Sequence, residues 1–235
     1  MRKKRKDRAI PLVALVGYTS AGKSTLLNAL TQSSQPVSES LFTTLDPLAK
    51  KLKLPNGEEI VLSDTVGFLR DLPHNLIEAF KATLEEVTDA DLLIHVLDAA
   101  SPKAYERHKA VMGVLKELNA NEKPIITALN KIDLLQDKTW LEIIAEDFVN
   151  PVKISAKLNK NLDLLLNKIE ENFPGRMVEL DILIPHKRMD LVDLFYKNGK
   201  ILKIKYLQKG ISIKASIPRV LSKKLKHNGD ISDNY

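Results

Sequence analysis

Apolar residues recur at two different spacings between Pro11 and about residue 172. Short runs rich in Val, Ile and Leu predict strands, and apolar residues every three to four positions predict helices. The predicted strands cover residues 12–16, 48–54, 59–63, 91–97, 124–129 and 151–154. The predicted helices cover residues 23–32, 74–87, 103–118, 138–147 and 160–172. Strands that alternate with helices favour an α/β fold, with a mostly parallel sheet and helices on both faces.

Turn residues divide this pattern. Pro55-Asn56-Gly57 predicts a tight turn that joins the second and third strands as a hairpin. Pro174-Gly175 ends the last helix, and we expect a domain boundary there. Beyond it, a strand, a helix and two further strands are predicted, which would form a small β-α-β-β domain. The predicted organisation is a basic leader (1–10), an α/β domain (11–174), a small α+β domain (175–218) and a disordered tail without periodicity (219–235).

Charge is concentrated at the start of the chain. The 235 residues carry a net charge of +6, and residues 2–8 hold six basic side chains and one acidic one. That segment accounts for most of the surplus, so the remainder is nearly neutral in sum. The leader is either a phosphate-binding arm for nucleic acid or a solvated segment that ends a linker. Both interpretations stay open.

Composition limits the compartment and the class of protein. The chain has no cysteine, which excludes disulfides and thiolate metal sites. No apolar run approaches the ~18 to 20 residues of a membrane span, and the N-terminus has no secretory apolar segment. We therefore expect a cytoplasmic protein without a transmembrane segment, and a monomer.

Residues 17–24 read Gly-Tyr-Thr-Ser-Ala-Gly-Lys-Ser, a full phosphate-loop (P-loop) pattern between a predicted strand and a predicted helix. Gly17 and Gly22 let the backbone curl so that its N–H groups converge on a phosphate. Lys23 would place its charge on the β and γ oxygens, and the Ser24 hydroxyl would ligate Mg²⁺. The phosphate would then lie at the N-terminus of the helix.

Three later motifs follow successive strands. Asp64-Thr65-Val66-Gly67 offers a carboxylate to Mg²⁺ through a water and an unobstructed backbone N–H to a γ-phosphate. In Asn130-Lys131-Ile132-Asp133, the Asp133 carboxylate matches the N1–H and 2-amino donors of guanine, which adenine lacks. Such a site can reject the wrong ligand by roughly 10⁴-fold. Asn130 would brace neighbouring loops, the Lys131 stem would cover the base, and Ala156 of Ser155-Ala156-Lys157 would offer its N–H to guanine O6. Together the four motifs predict a guanine-nucleotide site.

The irregular stretch at residues 33–46 contains Thr43 and Thr44. A threonine between the first helix and the second strand would give its hydroxyl to Mg²⁺ and its N–H to the γ-phosphate. Such a segment orders and disorders with the γ-phosphate in a GTP switch. A plain turn is the alternative interpretation.

The chain resembles the HflX family of ribosome-associated GTPases. The resemblance is carried by Gly17–Ser24, Leu41–Pro47, Asp64–His74, Ala79-Phe80 with Thr83–Glu86, and Ala90–Asp98. It covers residues 11–172 well and 178–217 more weakly. It implies a Ras-like GTPase domain with a small C-terminal domain, the large ribosomal subunit as partner, and a role in splitting or rescuing stalled ribosomes. It also favours Thr44 over Thr43.

Two departures from the family pattern qualify the resemblance. The family carries an N-terminal domain before a helical linker, and this chain begins at the basic end of such a linker. We therefore expect either an unusual short form or a trimmed piece, to which activities of that domain do not transfer. The family also has Asn at the position of Ser20, where related GTPases ligate potassium, so the sequence weighs against potassium stimulation.

The predicted nucleotide-binding residues are Gly17, Tyr18, Thr19, Ser20, Ala21, Gly22, Lys23, Ser24, Thr25, Thr44, Asp64, Gly67, Asn130, Lys131, Asp133, Ser155, Ala156 and Lys157. Of these, Ser24, Thr44 and Asp64 are assigned to Mg²⁺, and Lys23, Thr44 and Gly67 to catalysis.

Catalysis by this set would rest on positioning and charge stabilisation. Phe68 follows Gly67 where many small GTPases have a water-orienting glutamine, so slow intrinsic hydrolysis is expected. His74 and His95 are poor candidates for a base, since His95 lies in mid-strand, where packing is favoured.

Two other functions compete with a ribosome-acting switch. One is a GTPase of ribosome assembly or tRNA modification with the same core. The other is a scaffold or RNA-binding module that GTP merely stabilises, which the basic leader favours. The sequence predicts no DNA specificity.

Overall fold

The computed structural model describes residues 10–31, 48–65, 81–135 and 138–227. The described residues form two compact units. The first comprises the described residues within 10–52 and 60–169, and the second comprises Lys53–Glu59 together with residues 170–227. Among the described helices, none has the length and apolar character that crossing a bilayer requires.

The first unit alternates strands and helices, as the sequence predicts. Its strands are β1 (Leu12–Val16), β2 (Leu48–Lys53), β3 (Glu59–Asp64), β4 (Leu92–Asp98), β5 (Ile125–Asn130) and β6 (Pro151–Lys153). Its helices are α1 (Lys23–Thr31), α2 (Lys81–Asp89), α3 (Ala104–Glu117), α4 (Lys138–Glu146) and α5 (Leu162–Glu171). The predicted start of the second helix, at residue 74, lies outside the described residues.

The six strands form one sheet in the order β2-β3-β1-β4-β5-β6. Strand β1 pairs in parallel with β3 and β4, and the pairs β4–β5 and β5–β6 are parallel as well. A backbone bond from Leu54 N–H to the Glu58 carbonyl, 2.8 Å long, closes the predicted hairpin between β2 and β3. Parallel strands bring their carboxyl ends to one edge of a sheet, and ligands of open α/β folds bind outside that edge.

Central strands of the sheet are apolar because both faces are covered. All of Leu92–Leu97 in β4 is buried, and one apolar cluster contains Val16, Leu93 and Leu115. A second cluster contains Leu97, Leu129 and Ile144. The mostly parallel α/β fold with covering helices is confirmed.

The second unit is an antiparallel sheet with helices. Its strands are β7 (Met177–Ile184), β8 (Lys200–Leu207) and β9 (Gly210–Pro218), and its helices are α6 (Met189–Asn198) and α7 (Arg219–His227). The strand order is β7-β9-β8, so β9 is central and β8 is an edge strand. Ile182, Ile213 and Ile217 pack with Phe195 of α6 and Leu225 of α7 in one apolar core. The β-α-β-β order is as predicted.

The prediction of a disordered tail at 219–235 is wrong for residues 219–227, which form α7. Leu221 and Leu225 lie four residues apart, on one helical face, and Leu225 belongs to the core of the second unit. The lysines between them concealed this short amphipathic pattern. Residues 228–235 lie outside the described residues, as does the leader at 1–9.

The hairpin turn is also placed differently from the prediction, because Lys53–Glu59 cluster with the second unit. Arg176 Nε donates to Glu58 Oε1 at 2.5 Å, and Lys200 Nζ donates to the Pro55 carbonyl at 2.7 Å. Gly57 has φ +91°, and a Cβ there would lie 2.9 Å from Lys200 Cβ. Only glycine therefore fits this turn without strain. The boundary prediction at Pro174-Gly175 misses this contribution from earlier in the chain.

Candidate functional site

A glycine-containing loop follows the carboxyl end of β1 and leads into α1. Gly22 has φ +98°, and a Cβ at this residue would lie 2.4 Å from Asn130 Nδ2. A Cβ at Gly17 would lie 2.4 Å from the Val96 carbonyl oxygen. Neither position has room for a side chain, which is the property the phosphate-loop pattern predicts. Ser20 adopts φ +60°, an uncommon left-handed conformation for a serine.

Lys23 begins α1 and is buried against the loop backbone. Its Nζ donates to the carbonyl oxygens of Gly17 at 3.2 Å and Tyr18 at 3.4 Å. Burial lowers the pKa of Lys23 to about 8, and the charge of Asp64 partly opposes this shift. The ammonium group therefore stays mainly protonated at neutral pH, poorly hydrated, and held within the loop. Such a cation has a strong electrostatic preference for an anion.

Ser24 and Asp64 converge beside Lys23. Ser24 Oγ donates to Asp64 Oδ2 at 2.6 Å, and Asp64 is fully buried at the end of β3. Thr65 Oγ1 donates to the Leu15 carbonyl at 2.6 Å, which fixes this strand end against β1. Within the described residues no group of three His, Cys, Asp or Glu could hold a metal. A hydroxyl and one carboxylate fit Mg²⁺, which takes oxygen ligands and fills its shell with phosphate and water.

Asn130, the last residue of β5, connects two loops. Its Nδ2 donates to the Ala21 carbonyl at 2.9 Å, and its Oδ1 accepts the Ala156 N–H at 3.0 Å. The bracing role predicted for Asn130 thus has a definite geometry. The Ala156 N–H, which the sequence assigns to guanine O6, donates to Asn130 Oδ1 in this structure. The role of Ala156 toward a base stays a prediction.

Asp133 lies on a short 3₁₀ helix (Ile132–Leu134), with an exposed side chain. Ser155 Oγ donates to Asp133 Oδ1 at 2.5 Å, and the same Oγ accepts the Leu158 N–H at 3.2 Å. Ser155 therefore orients the carboxylate that is predicted to recognise guanine. The sequence analysis placed Ser155 in the site without this role.

Lys131 precedes this turn in the left-handed conformation, at φ +65°. Its Nζ lies 2.8 Å from Asp98 Oδ2, and Arg107 approaches the same carboxylate at 3.8 Å. The Arg107 guanidinium also lies over the Tyr18 ring, 5.3 Å from the ring centre. Asp98 was missed as a site residue, although its place at the carboxyl end of β4 is a recognisable signal. It fixes the Lys131 stem that is predicted to cover a base.

The remaining predicted residues are placed as follows. Thr19 and Ala21 are buried in the loop, Thr25 is half-buried in α1, and Lys157 is exposed after β6. Thr43, Thr44, Gly67, Phe68 and His74 lie outside the described residues. The structure thus brings together the phosphate-loop, Asp64, Asn130, Asp133 and Ser155 parts of the set.

His95 is packed in mid-strand, as the sequence favoured. Its side chain is fully buried, its Nδ1 lies 3.4 Å from His108 Nδ1, and no partner reaches its Nε2 within the described part of the chain. Burial, followed by His108 and Lys23, lowers the pKa of His95 to about 3. It is therefore neutral at physiological pH.

Comparison with known proteins agrees with this arrangement. A family described as 50S ribosome-binding GTPase matches residues 12–131. The HflX GTPase of Caldanaerobacter subterraneus subsp. tengcongensis is 46% identical over 226 residues, covering 96% of this chain and 51% of that protein. The HflX GTPase of Escherichia coli K12 is 40% identical over 197 residues, covering 83% of this chain and 46% of that protein. The chain spans about half the length of these relatives.

Solved structures show the same fold. A GTP-binding protein from Sulfolobus solfataricus, in complex with GDP, has a TM-score of 0.54 and 30% identity, covering 73% of this chain and 55% of that one. A variant of Aquifex aeolicus Era bound to GDP and AlF4⁻ has a TM-score of 0.58 and 23% identity, covering 92% and 82%. At that identity, Era is evidence for the fold alone. The chain belongs to the HflX family of GTPases.

Proposed function

We propose that this chain binds GTP, hydrolyses it to GDP and phosphate, and uses the change to switch its association with the large ribosomal subunit. The observation that carries the proposal is the pair of hydrogen bonds made by Asn130. One bond holds the phosphate loop at Ala21 and the other holds the Ser155–Lys157 loop at Ala156. A ligand with phosphates at one end and a purine at the other would span the two loops that Asn130 ties together.

The phosphate end of this site has a defined division of roles. Lys23 would meet the β- and γ-phosphate oxygens, because its charge is already held inside the loop. Ser24 and Asp64 would hold Mg²⁺, the serine directly and the aspartate through a water. The ion would neutralise charge that develops on the phosphate oxygens.

Hydrolysis needs a water aligned with the γ-phosphorus and the bond to the departing GDP oxygen. Thr44 and the Gly67 N–H are the residues we assign to positioning the γ-phosphate. Phe68 has no group that orients water. The rate of GTP hydrolysis should therefore be low until the segments that carry Thr44 and Gly67 are held against the γ-phosphate. We infer that the large ribosomal subunit supplies this ordering, in the cytoplasm, during ribosome splitting or rescue.

Purine discrimination tests the nucleotide assignment. Asp133→Asn should replace one of the two acceptors for the guanine donors with an N–H donor and lower GTP affinity by about 10⁴-fold, while affinity for xanthosine triphosphate rises. Isothermal titration calorimetry of GTP, ATP and xanthosine triphosphate measures this directly. Asp163→Asn, on the exposed first turn of α5, is the matched control and should bind as the unmodified chain does. Equal retention of ATP and GTP by the unmodified chain would refute the assignment.

Ribosome dependence requires a second experiment. Co-sedimentation with 50S subunits should be stronger with a non-hydrolysable GTP analogue than with GDP. Single-turnover hydrolysis should accelerate when 50S subunits are added. Equal rates with and without subunits would refute the switch while leaving GTP binding intact.

A further inference from the structure

The C-terminal half of the second unit has an unusual charge composition. Residues 194–227 contain ten lysines and arginines and no aspartate or glutamate. This segment covers the end of α6, all of β8 and β9, and α7. By contrast, residues 11–174 contain 17 basic and 23 acidic side chains. An acid-free run of this length repels itself and attracts polyanions.

Strand β8 displays part of this charge along one edge of the sheet. Lys203 and Lys205 are exposed and lie on the same face, since their register partners in β9 are Lys214 and Ser212. Lys209 is exposed in the turn that follows. None of Lys203, Lys205 and Lys209 has an ion-pair partner in the part of the chain that the structure describes. Lys214 differs, because its Nζ lies 3.1 Å from Glu179 Oε2.

An aromatic ring accompanies these lysines. Tyr206 lies between Lys205 and the turn and is 74% exposed; its register partner Ile211 places it on the opposite face of β8 from Lys203 and Lys205. Because β8 is an edge strand, a ligand that runs along its open edge can reach both faces. Leu207 beside it is exposed as well. An unburied aromatic ring flanked by unpaired cations offers stacking for a base and charge for phosphates, the two features of single-strand binding surfaces. We name Lys203, Lys205, Tyr206 and Lys209 the β8 strip.

Protection of an edge strand is the competing explanation for lysines on β8. It does not explain the exposed Tyr206 and Leu207 beside these lysines, because exposed apolar side chains on an edge strand favour pairing with another chain.

We propose that the β8 strip binds single-stranded RNA, with phosphates on its three lysines and a base stacked on Tyr206. The proposal rests on the proposed ribosome association, and it assigns the second unit an RNA contact of its own. Binding at this strip requires neither GTP nor the switch segments.

The test uses the full chain and a fluorescein-labelled 20-nucleotide oligouridine, which contains no guanine for the nucleotide site. K203Q/K205Q/K209Q should weaken binding at least tenfold in fluorescence anisotropy. The slope of log K against log salt should fall by about 2, as expected for three lost single-strand phosphate contacts. K197Q/K223Q/K224Q removes the same charge from exposed lysines of α6 and α7, and it should change affinity less than threefold. Equal losses in the two triple variants, or no loss in either, would overturn the proposal.

A second comparison tests the aromatic contact. Tyr206→Leu should weaken oligouridine binding about tenfold, because a stacked base is lost. Tyr196→Leu, at a 53% exposed tyrosine of α6, should have little effect. If the β8 strip binds polyglutamate or phosphatidylserine vesicles as tightly as oligouridine, the RNA assignment is wrong.

The two proposals fail separately. Loss of strip-dependent RNA binding would leave GTP binding and GTP-dependent co-sedimentation unaffected. If co-sedimentation does not respond to nucleotide while the strip variant still loses oligouridine, only the switch is refuted.

Discussion

The two units of this chain place their polar chemistry in opposite ways. In the first unit, Lys23, Asp64, Asn130 and Ser155 are buried where strands end, and each is hydrogen-bonded. In the second unit, cations lie at the surface, and residues 175–227 carry 13 basic side chains against four acidic ones. The chain after the basic leader is therefore nearly neutral only in total, because it consists of an acidic part and a basic part.

The difference matches two kinds of ligand. A small anionic ligand is recognised by few groups that are held rigidly out of water, where each interaction is strong. A polyanion is recognised by many exposed cations that need no fixed geometry. The net charge of the whole chain indicates neither kind of ligand. The distribution of charge along the sequence indicates both.

The largest expected effect comes from His95, the fully buried histidine of β4. The pKa of His95 is lowered to about 3 in the folded chain, against an ordinary value near 6.5 after unfolding. Stability that is complete above pH 6.5 is therefore lost as pH falls toward 3, at about 1.4 kcal/mol per pH unit. Between pH 7 and pH 4.5 the free energy of unfolding, measured by urea denaturation, should fall by about 3 kcal/mol less in His95→Leu than in the unmodified chain.

Val220→Ala, at a 71% exposed position of α7, provides the control in the second unit, because it changes no ionisable group. The acid dependence of its unfolding free energy should be the same as in the unmodified chain. Parallel pH curves for His95→Leu and the unmodified chain would show that burial does not hold His95 neutral.

The next effect concerns the core beneath the surface cations of the second unit. Leu225 is 4% exposed and packs with the core that includes Phe195 and Ile217. Leu225→Ala should cost about 2 to 3 kcal/mol, because it removes buried methyl groups and leaves a cavity. Hydrogen exchange of β9 amides measures the loss in this unit. Val220→Ala, at a 71% exposed position of α7, should stay within about 0.5 kcal/mol. Equal exchange in both variants would mean that α7 is not packed.

Much of the fold is encoded locally. The alternation of apolar runs and helical spacing predicted β1 at its observed bounds, Leu12–Val16, and β5 within one residue of Ile125–Asn130. Helix α7 was missed because lysines separate the partly buried Leu221 from the buried Leu225 in a helix of only nine residues. The membership of Lys53–Glu59 in the second unit depends on contacts more than a hundred residues apart in sequence, such as Glu58 with Arg176. No local pattern contains that information.

The motifs of the site could be predicted from the sequence, but the side-chain contacts between their residues could not. Spacing predicted the phosphate loop, the place of Asp64 beside it and the role of Asp133 toward guanine, because phosphate and guanine chemistry favour those residue types. It did not reveal that Ser155 orients Asp133 or that Asp98 anchors Lys131. Both are pairwise side-chain contacts set by the register of neighbouring strand ends, which a single sequence leaves open.

The smallest effect concerns Glu58 in the second unit, the exception to its surface placement of charge. Glu58 is 4% exposed, and burial raises its pKa, which Arg176 opposes. Arg176→Met would leave this carboxylate buried without its cation. Because Arg176 is itself 36% exposed, we expect a cost of about 1 to 2 kcal/mol at pH 8, measured by β9 hydrogen exchange.

The pH dependence of that cost distinguishes charge from packing. A carboxyl group whose pKa is raised by folding takes up a proton more readily when folded, so its penalty is relieved as pH falls and grows as pH rises. The cost of Arg176→Met should therefore shrink toward pH 5. In a Glu58→Gln background the same substitution should show no such dependence. A cost that is constant from pH 5 to pH 8 would indicate that Arg176 contributes through packing alone, and that Glu58 is neutral throughout.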